Sequence, residues 1–355
     1  MACLQPHRRR LATAAVIAPL LALAAVLAGP FADAAEAPAA AAQTLELQLP
    51  IRCTPGADCW LVNMVDLDPG PGVRDHLCGA RSYDGHKGTD IAVRDMKAVA
   101  VGVDVVAAAA GVVRGTRDGM DDVDVTVIGK DAIKGRECGN GVVLIHSANW
   151  ETQYCHLKKG SVVVKQGDRV AAGDKLGRVG HSGEAAFPHV HLSVRRGVAV
   201  VDPFAGLGRD AAACGPGPHP LWRADVLKAL SGETTAIFNI GFHDAKPEPK
   251  DARNGDLGGK PISGDAAALV LWADMYWPEA GDDMRFRIVL PDGRPLVDKT
   301  AKIEKTQARR FAFVGKRRRD AEWPAGAYLG EVTLTRGAGT AGQRVFKAEA
   351  RMTVR

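Results

Sequence analysis

The chain has 355 residues, a formal net charge of +5, and 25% charged against 46% hydrophobic residues. That length allows two domains with sizeable cores. The mild charge excludes a nucleic-acid footprint, and beyond the N-terminal segment no stretch is long and apolar enough to span a bilayer as a helix.

Taken in chain order, Arg8, Arg9 and Arg10 precede an uncharged apolar run from Leu11 to Gly29, and Ala32-Asp33-Ala34 fits a small-x-small cleavage site. Residues 1–34 are therefore expected to be a secretory signal peptide, with an uncleaved membrane anchor as the alternative. Pro30 stands where a lipoprotein signal needs cysteine, so acylation there is excluded. Cleavage after Ala34 leaves a net charge of +3. The expected location is outside the cytoplasm, in the periplasm. Residues 35–79 read as an alanine-rich tether and an N-terminal extension. Its Asp66 and Asp68 suit turn chemistry beside proline and glycine better than metal binding. Cys3 leaves with the signal. The six remaining cysteines, Cys53, Cys59, Cys78, Cys138, Cys155 and Cys214, are expected to form three disulfides in an oxidising compartment. Cys53 and Cys59 flank a turn-forming stretch and should pair. The other four leave three pairings open.

From residue 80 onward the pattern is of short strands: Val103–Ala108, Gly111–Gly115, Val123–Ile128, Val142–His146, Thr152–His156, Leu176–Val179 and Val190–Arg195. The charged insertion between Asp118 and Cys138 is expected to be a loop or extended hairpin. Its acidic residues lack the glycine and glutamate placement of a calcium loop. Among these strands lie three histidine strings: H-K-G-T-D from His86 to Asp90, Y-C-H-L from Tyr154 to Leu157, and P-H-V-H from Pro188 to His191. Singly each is weak, because residues two apart in a strand share a face and often form nothing more than a polar patch. Together, His86, Asp90, His156, His189 and His191 offer the imidazole and carboxylate groups that a catalytic zinc site uses, with polar groups left over for proton transfer. The residues alone do not divide the four histidines into ligands and acid/base groups. His7 falls in the signal. His76, His181, His219 and His243 have no partner at ligand spacing and read as surface or loop residues. His146 ends an apolar strand and reads as structural.

The ordered strings, with G-N-G-V-V-L-I-H from Gly139 and V-K-Q-G-D-R-V-A-A-G-D-K-L-G from Val164, resemble the LytM/lysostaphin family of zinc metallopeptidases across residues 80–204. The resemblance implies a lysostaphin-like antiparallel β-sheet with a groove, and zinc (Zn2+) held by His86, Asp90 and His191. It implies His156 and His189 as the catalytic pair, and peptidoglycan peptides as substrate. Ala185-Ala186-Phe187-Pro188 and Leu192-Ser193 depart from the family's usual residues around the histidine pair, and Phe187 is placed to narrow the groove. The alternative is a catalytically inactive relative that activates a wall amidase; such proteins lose ligands, and this chain keeps the whole set.

Residues 205–232 read as a linker with one short helix over Leu221–Leu230. In 233–355, strands over Thr235–Phe242, Ala268–Met275, Met284–Leu290, Arg310–Val314, Tyr328–Thr335 and Arg344–Val354 predict an immunoglobulin-like β-sandwich. Its core is expected from Leu269, Leu271, Phe286, Ile288, Phe311, Phe313, Tyr328 and Val332. This domain carries no catalytic constellation and is expected to position the enzyme or bind a cell-envelope partner. The basic run Lys316-Arg317-Arg318-Arg319 reads as a solvated loop, with contact to an anionic wall or membrane surface as the alternative. The whole is all-β.

Overall fold

A computed structural model describes residues 45–232, 234–319 and 321–355. The signal segment with Cys3 and the alanine-rich tether over residues 35–42 lie outside them. Period-two alternation builds the first half. Strands β1 (Cys59–Asn63), β2 (Thr89–Val93), β4 (Gly111–Arg117), β5 (Asn140–Ile145), β6 (Trp150–Leu157), β7 (Arg169–Val170), β9 (His189–Arg196) and β10 (Ala199–Val200) form one antiparallel sheet. Its order is β1-β2-β9-β6-β5-β4-β7, with β10 on β9. Asp90 stands opposite His191, and His191 opposite Cys155. Alternation therefore sends Ile91, Val142, Leu144, Tyr154, Val190 and Leu192 to one face, where they are buried in a core. The other face carries Asp90, His189 and His191, with Trp60 and Ala92 beside them. A two-stranded sheet of β3 (Asp104–Val106) and β8 (Lys175–Arg178) and the short helix α1 (Met96–Val101) complete this half. Leu47, Leu221, Trp222 and helix α3 (Ala224–Leu230) pack into the same core.

The strand expected at Val123–Ile128 is instead helix α2 (Val125–Ile128), followed by a 3₁₀ turn at Lys130–Ile133. Asp124 decides it: its carboxylate accepts the Thr126 amide at 2.8 Å, an N-cap that overrides the strand preference of the β-branched run. The insertion is thus no hairpin, and its acids serve backbone amides. Asp118 accepts from Gly160 and Val162, and Asp122 from Lys159 and His181.

The second half sets two antiparallel sheets face to face across a shared core. One is β11 (Ala236–His243), β12 (Ala268–Tyr276) and β15 (Arg309–Arg317); the other is β14 (Pro295–Lys302), β13 (Asp283–Val289), β16 (Gly326–Arg336) and β17 (Arg344–Val354). A short helix, α4 (Pro249–Asn254), lies between β11 and β12. Three-plus-four antiparallel strands are an immunoglobulin-type sandwich, and the Tyr328 hydroxyl donates to the Pro324 carbonyl at 3.0 Å at the start of β16, the tyrosine corner of such folds. Six of the eight expected core residues lie in this core. Phe311 and Phe313 do not, because Ala312 and Val314 take the inward positions of β15. Phe311 stacks on Trp272, and Phe313 is 41% exposed.

The sandwich meets the first sheet through Phe238, Tyr276 and Trp277, packed with Trp60, Val62 and Ala92. The Trp277 indole donates to the Val62 carbonyl at 2.5 Å. Arg253 of α4 pairs with Asp124, and Arg81 with Glu279.

Candidate active site

Strands β2 and β9 carry three of the expected residues on the sheet face opposite the first core, and the turn before β2 carries His86. The His86 Nε2, Asp90 Oδ1 and His191 Nδ1 atoms converge: 3.2 Å from His86 to Asp90, 2.8 Å from His191 to Asp90, and 3.1 Å between the two ring nitrogens. His86 and Asp90 are buried. The His86 Nδ1 donates to the Met64 carbonyl at 2.6 Å, so in the neutral ring Nε2 carries a lone pair aimed at its neighbours. Asn63, opposite Asp90 in the ladder, donates its amide to Asp90 Oδ2 at 2.8 Å and leaves Oδ1 for the imidazoles. Two nitrogen lone pairs and a carboxylate oxygen brought this close repel one another, and a cation among them relieves that repulsion. Two imidazoles and one carboxylate are a donor set that suits zinc.

The other two histidines face the same space. His189 shares a strand face with His191, and its Nε2 lies 3.6 Å from Asp90 Oδ1. The His156 and His189 ring centroids are 4.6 Å apart. His156 follows Cys155 in β6, and regular alternation would send its ring into the core. Its φ of 62° keeps it on the face that carries His189 and His191. In both rings Nδ1 donates to a backbone carbonyl, Ser182 for His156 and Phe187 for His189, each at 2.8 Å. Each ring thus keeps Nε2 as a free acceptor.

Burial acts on Asp90, His86, His156 and His189, and their charges separate them. Asp90 is held well below the usual carboxylate range: burial opposes this, but the neighbouring His86, His189 and His191 rings outweigh it. His86 is raised, with Asp90 overcoming burial. His156 is pushed well below the usual imidazole range by burial and then by His189 and His191. His189 is lowered by burial, with Asp90 opposing. One anion therefore stands beside two rings held neutral.

Around this set, the Tyr83 ring lies against His86, tilted by 34° with centroids 4.4 Å apart. Phe187 lies 4.7 Å from the His189 ring and 6.0 Å from Tyr276 of the sandwich. The departure from the family's residues at Phe187 thus joins the sandwich to the site wall. Asn63 and the Met64 carbonyl escaped sequence reasoning. They lie before the histidine strings, and only the pairing of β1 with β2 reveals them. Asp66 accepts from the backbone amides of Asp68, Arg74 and Gly85, and Asp68 from that of Gly70.

The family model for peptidase family M23 matches residues 84–203, a span that contains all five residues. Residues 84–203 are a peptidase family M23 domain. An uncharacterized metalloprotease of Buchnera aphidicola subsp. Baizongia pistaciae is 37% identical over 67 residues, which is 19% of this chain and 17% of that protein. The peptidoglycan DD-endopeptidase ShyA of Vibrio cholerae serotype O1 is 38% identical over 56 residues, 16% of this chain and 13% of ShyA. The matches thus span less than a fifth of either relative. Among solved structures, the catalytic domain of the prophage-encoded M23 protein EnpA from Enterococcus faecalis is 23% identical, covering 45% of this chain and 94% of that one at a TM-score of 0.29. The lysostaphin catalytic domain from Staphylococcus simulans is 21% identical, covering 40% and 85%, at a TM-score of 0.26.

Outside the M23 site, His146 has the structural role expected of it, with Nδ1 donating to the Ala110 carbonyl at 2.7 Å and Nε2 2.9 Å from the Thr152 hydroxyl. His76 and His181 are buried, contrary to the surface reading. His76 lies flat on Phe204 at 4.4 Å, and His181 is turned inward at the loop that Asp122 anchors. The six described cysteines pair as Cys53–Cys59, Cys78–Cys214 and Cys138–Cys155.

Proposed function

We propose that this protein is an exported zinc metalloendopeptidase that hydrolyses peptide bonds in peptidoglycan stem or cross-link peptides. The observation that carries this reading is the convergence of His86, Asp90 and His191 with two further imidazoles whose free Nε2 atoms face the same space. His86, Asp90 and His191 would hold the zinc, which supplies Lewis-acid catalysis for the attack of water on an amide. His156 and His189 do the proton work. Both Nε2 atoms are acceptors, so they orient the hydrogens of the attacking water. His189 is the better base of the two, because Asp90 beside it stabilises the positive ring. The proton it takes then passes to the leaving amine nitrogen. An imidazolium able to steady the oxyanion arises only after that first transfer.

The peptidoglycan substrate is supported by the M23 match and by the name of the Vibrio relative. Export is supported by the basic-apolar N-terminus and by three disulfides, which persist in oxidising compartments. The sandwich, by its contacts around Phe187, is proposed to wall the groove. Incubation with defined muropeptides, with and without a chelator, followed by mass spectrometry of the products, tests the reading. Cleaved peptides that disappear with chelator and return with zinc are expected. Intact peptides from a zinc-loaded protein, together with activation of an added wall amidase, would replace the enzyme by an activator.

A further inference from the structure

The disulfide Cys138–Cys155 ends one residue short of His156, at the point where the strand pairing breaks. From this juxtaposition we infer that Cys138 and Cys155 are positioning residues for His156, and that opening their bridge uncouples hydrolysis from metal holding. The inference rests on the hydrolase reading above.

In the β5–β6 ladder, Asn140 pairs with Leu157 and Val142 with Tyr154, so Cys155 and His156 together oppose the single residue Gly141. Such a bulge gives up ladder hydrogen bonds. His156 also adopts a φ of 62°, a conformation that a β-carbon resists. Something must hold it there, and Cys138 does so twice. Its sulfur is bonded to residue 155, and its carbonyl accepts the His156 amide at 2.8 Å. The same loop fixes the ring. Gly139, at φ 63°, lies so close to Ser182 that an added Cβ would come within 2.5 Å of it. Asn140 donates its amide to the Ser182 hydroxyl at 2.9 Å, and the Ser182 carbonyl accepts from His156 Nδ1.

Of the three proposed metal-holding residues, His86 stands on the turn before β2 and Asp90 on β2, while His191 on β9 is paired with Asp90 on one side and with Cys155 on the other. That pairing is made by the backbone and not by the sulfur, so removing the bridge frees His156 while the β6–β9 and β2–β9 ladders keep His191 beside Asp90. The bridge is also within reach of solvent. Cys138 is half-buried and lines a surface groove of about 220 Å³ with Arg117, Gly139 and Gln153. A dithiol reductant attacks the Cys138 sulfur through one thiolate and releases the Cys155 thiolate, which takes a proton. The reductant's second thiol then displaces the Cys138 thiolate and leaves as a cyclic disulfide. Two electrons and two protons pass to the protein, which ends with two thiols.

The test is the full-length double variant Cys138→Ser with Cys155→Ser, keeping the other two bridges. Zinc content should match wild type, KM should stay within about threefold, and kcat should fall about 10- to 100-fold, part of the range of a lost acid/base group. Hydrogen exchange at the His156 amide should rise at least about tenfold, while the amides of Asp90 and His191 stay protected. Unchanged kcat with a protected His156 amide would overturn the inference. So would zinc loss in step with activity, since the bridge would then be a general prop. The exchange measurement needs no substrate, so it decides the positioning role even if the wild type cleaves no wall peptide. Should the double variant not fold, wild type is reduced stepwise, trapped by alkylation and mapped by mass. Activity should then fall with the fraction of Cys138 and Cys155 alkylated, and full activity with both alkylated would contradict the inference.

Discussion

Asn63 holds one oxygen of Asp90 and so decides which oxygen faces the imidazoles. Groups that orient a metal ligand from behind typically contribute about 10- to 100-fold in metal affinity. Asn63→Ala should weaken zinc binding by about that factor in a chelator competition, with the fold intact by circular dichroism. Unchanged affinity would mean that the β2 backbone alone fixes Asp90. His181 gives a second prediction at this scale. Burial pulls its imidazole from 6.5 down to about 4, against the opposing pull of Asp124. Above pH 6.5 the ring is neutral folded or unfolded, and its contribution to stability is complete. As pH falls from 6.5 towards 4 the unfolded chain takes up the proton first, so stability is lost across that window, by up to about 3 kcal/mol for a shift of this size. His76, lowered to about 4, acts in the same direction, but Asp202, raised by burial to about 6, acts against it. His181→Asn should therefore flatten the fall in urea midpoint between pH 7 and pH 5. An unchanged slope would show that other groups set the acid limit.

At the scale of elements, β2 and β9 can approach only because Gly88 has no side chain. A Cβ there would come within 2.4 Å of His191 Nε2 and 2.7 Å of the Leu192 carbonyl. Gly88→Ala should push β9 aside, and zinc content should fall well below one per chain while the sandwich keeps its fold. Normal zinc content would show that the strands can shift without cost to the site. The strands nearest the site were partly hidden in the sequence. Cys59–Asn63 and Thr89–Val93 are buried along their whole length, so they show no alternation to read. Val190–Arg195 and Thr152–His156 alternate and were legible. The histidine strings were legible as an ordered set, whereas the φ of His156 and the donation from Asn63 depend on pairing between distant segments. Val123–Ile128 misled because a single cap residue outweighed β-branched composition. Phe311 and Phe313 misled because two faces of a strand can both carry apolar residues when the outer face also has aromatic neighbours.

At the scale of the whole molecule, the sandwich is joined to the M23 domain by an aromatic seam that runs from Phe238 and Tyr276 through Phe187 to His189. Hydrophobic packing along this seam, with the buried Trp277 indole bonded to Val62, brings the second half into contact with Phe187 beside the His189 ring. The pair of sheets was legible from evenly spaced strands and turns. The seam was not, because Trp60, Phe187 and Tyr276 are remote in sequence and each reads alone as ordinary core. Five residues on one sheet face are proposed to divide into three that hold zinc and two that move protons. Zinc content and muropeptide turnover measured side by side in the alanine variants of His86, Asp90, His156, His189 and His191 test it most directly. His86→Ala, Asp90→Ala and His191→Ala should lose most zinc and all detectable turnover. His156→Ala and His189→Ala should keep zinc and lose turnover by about 10²- to 10⁴-fold. A His189→Ala protein without zinc, or one that cleaves at near the normal rate, would contradict that division.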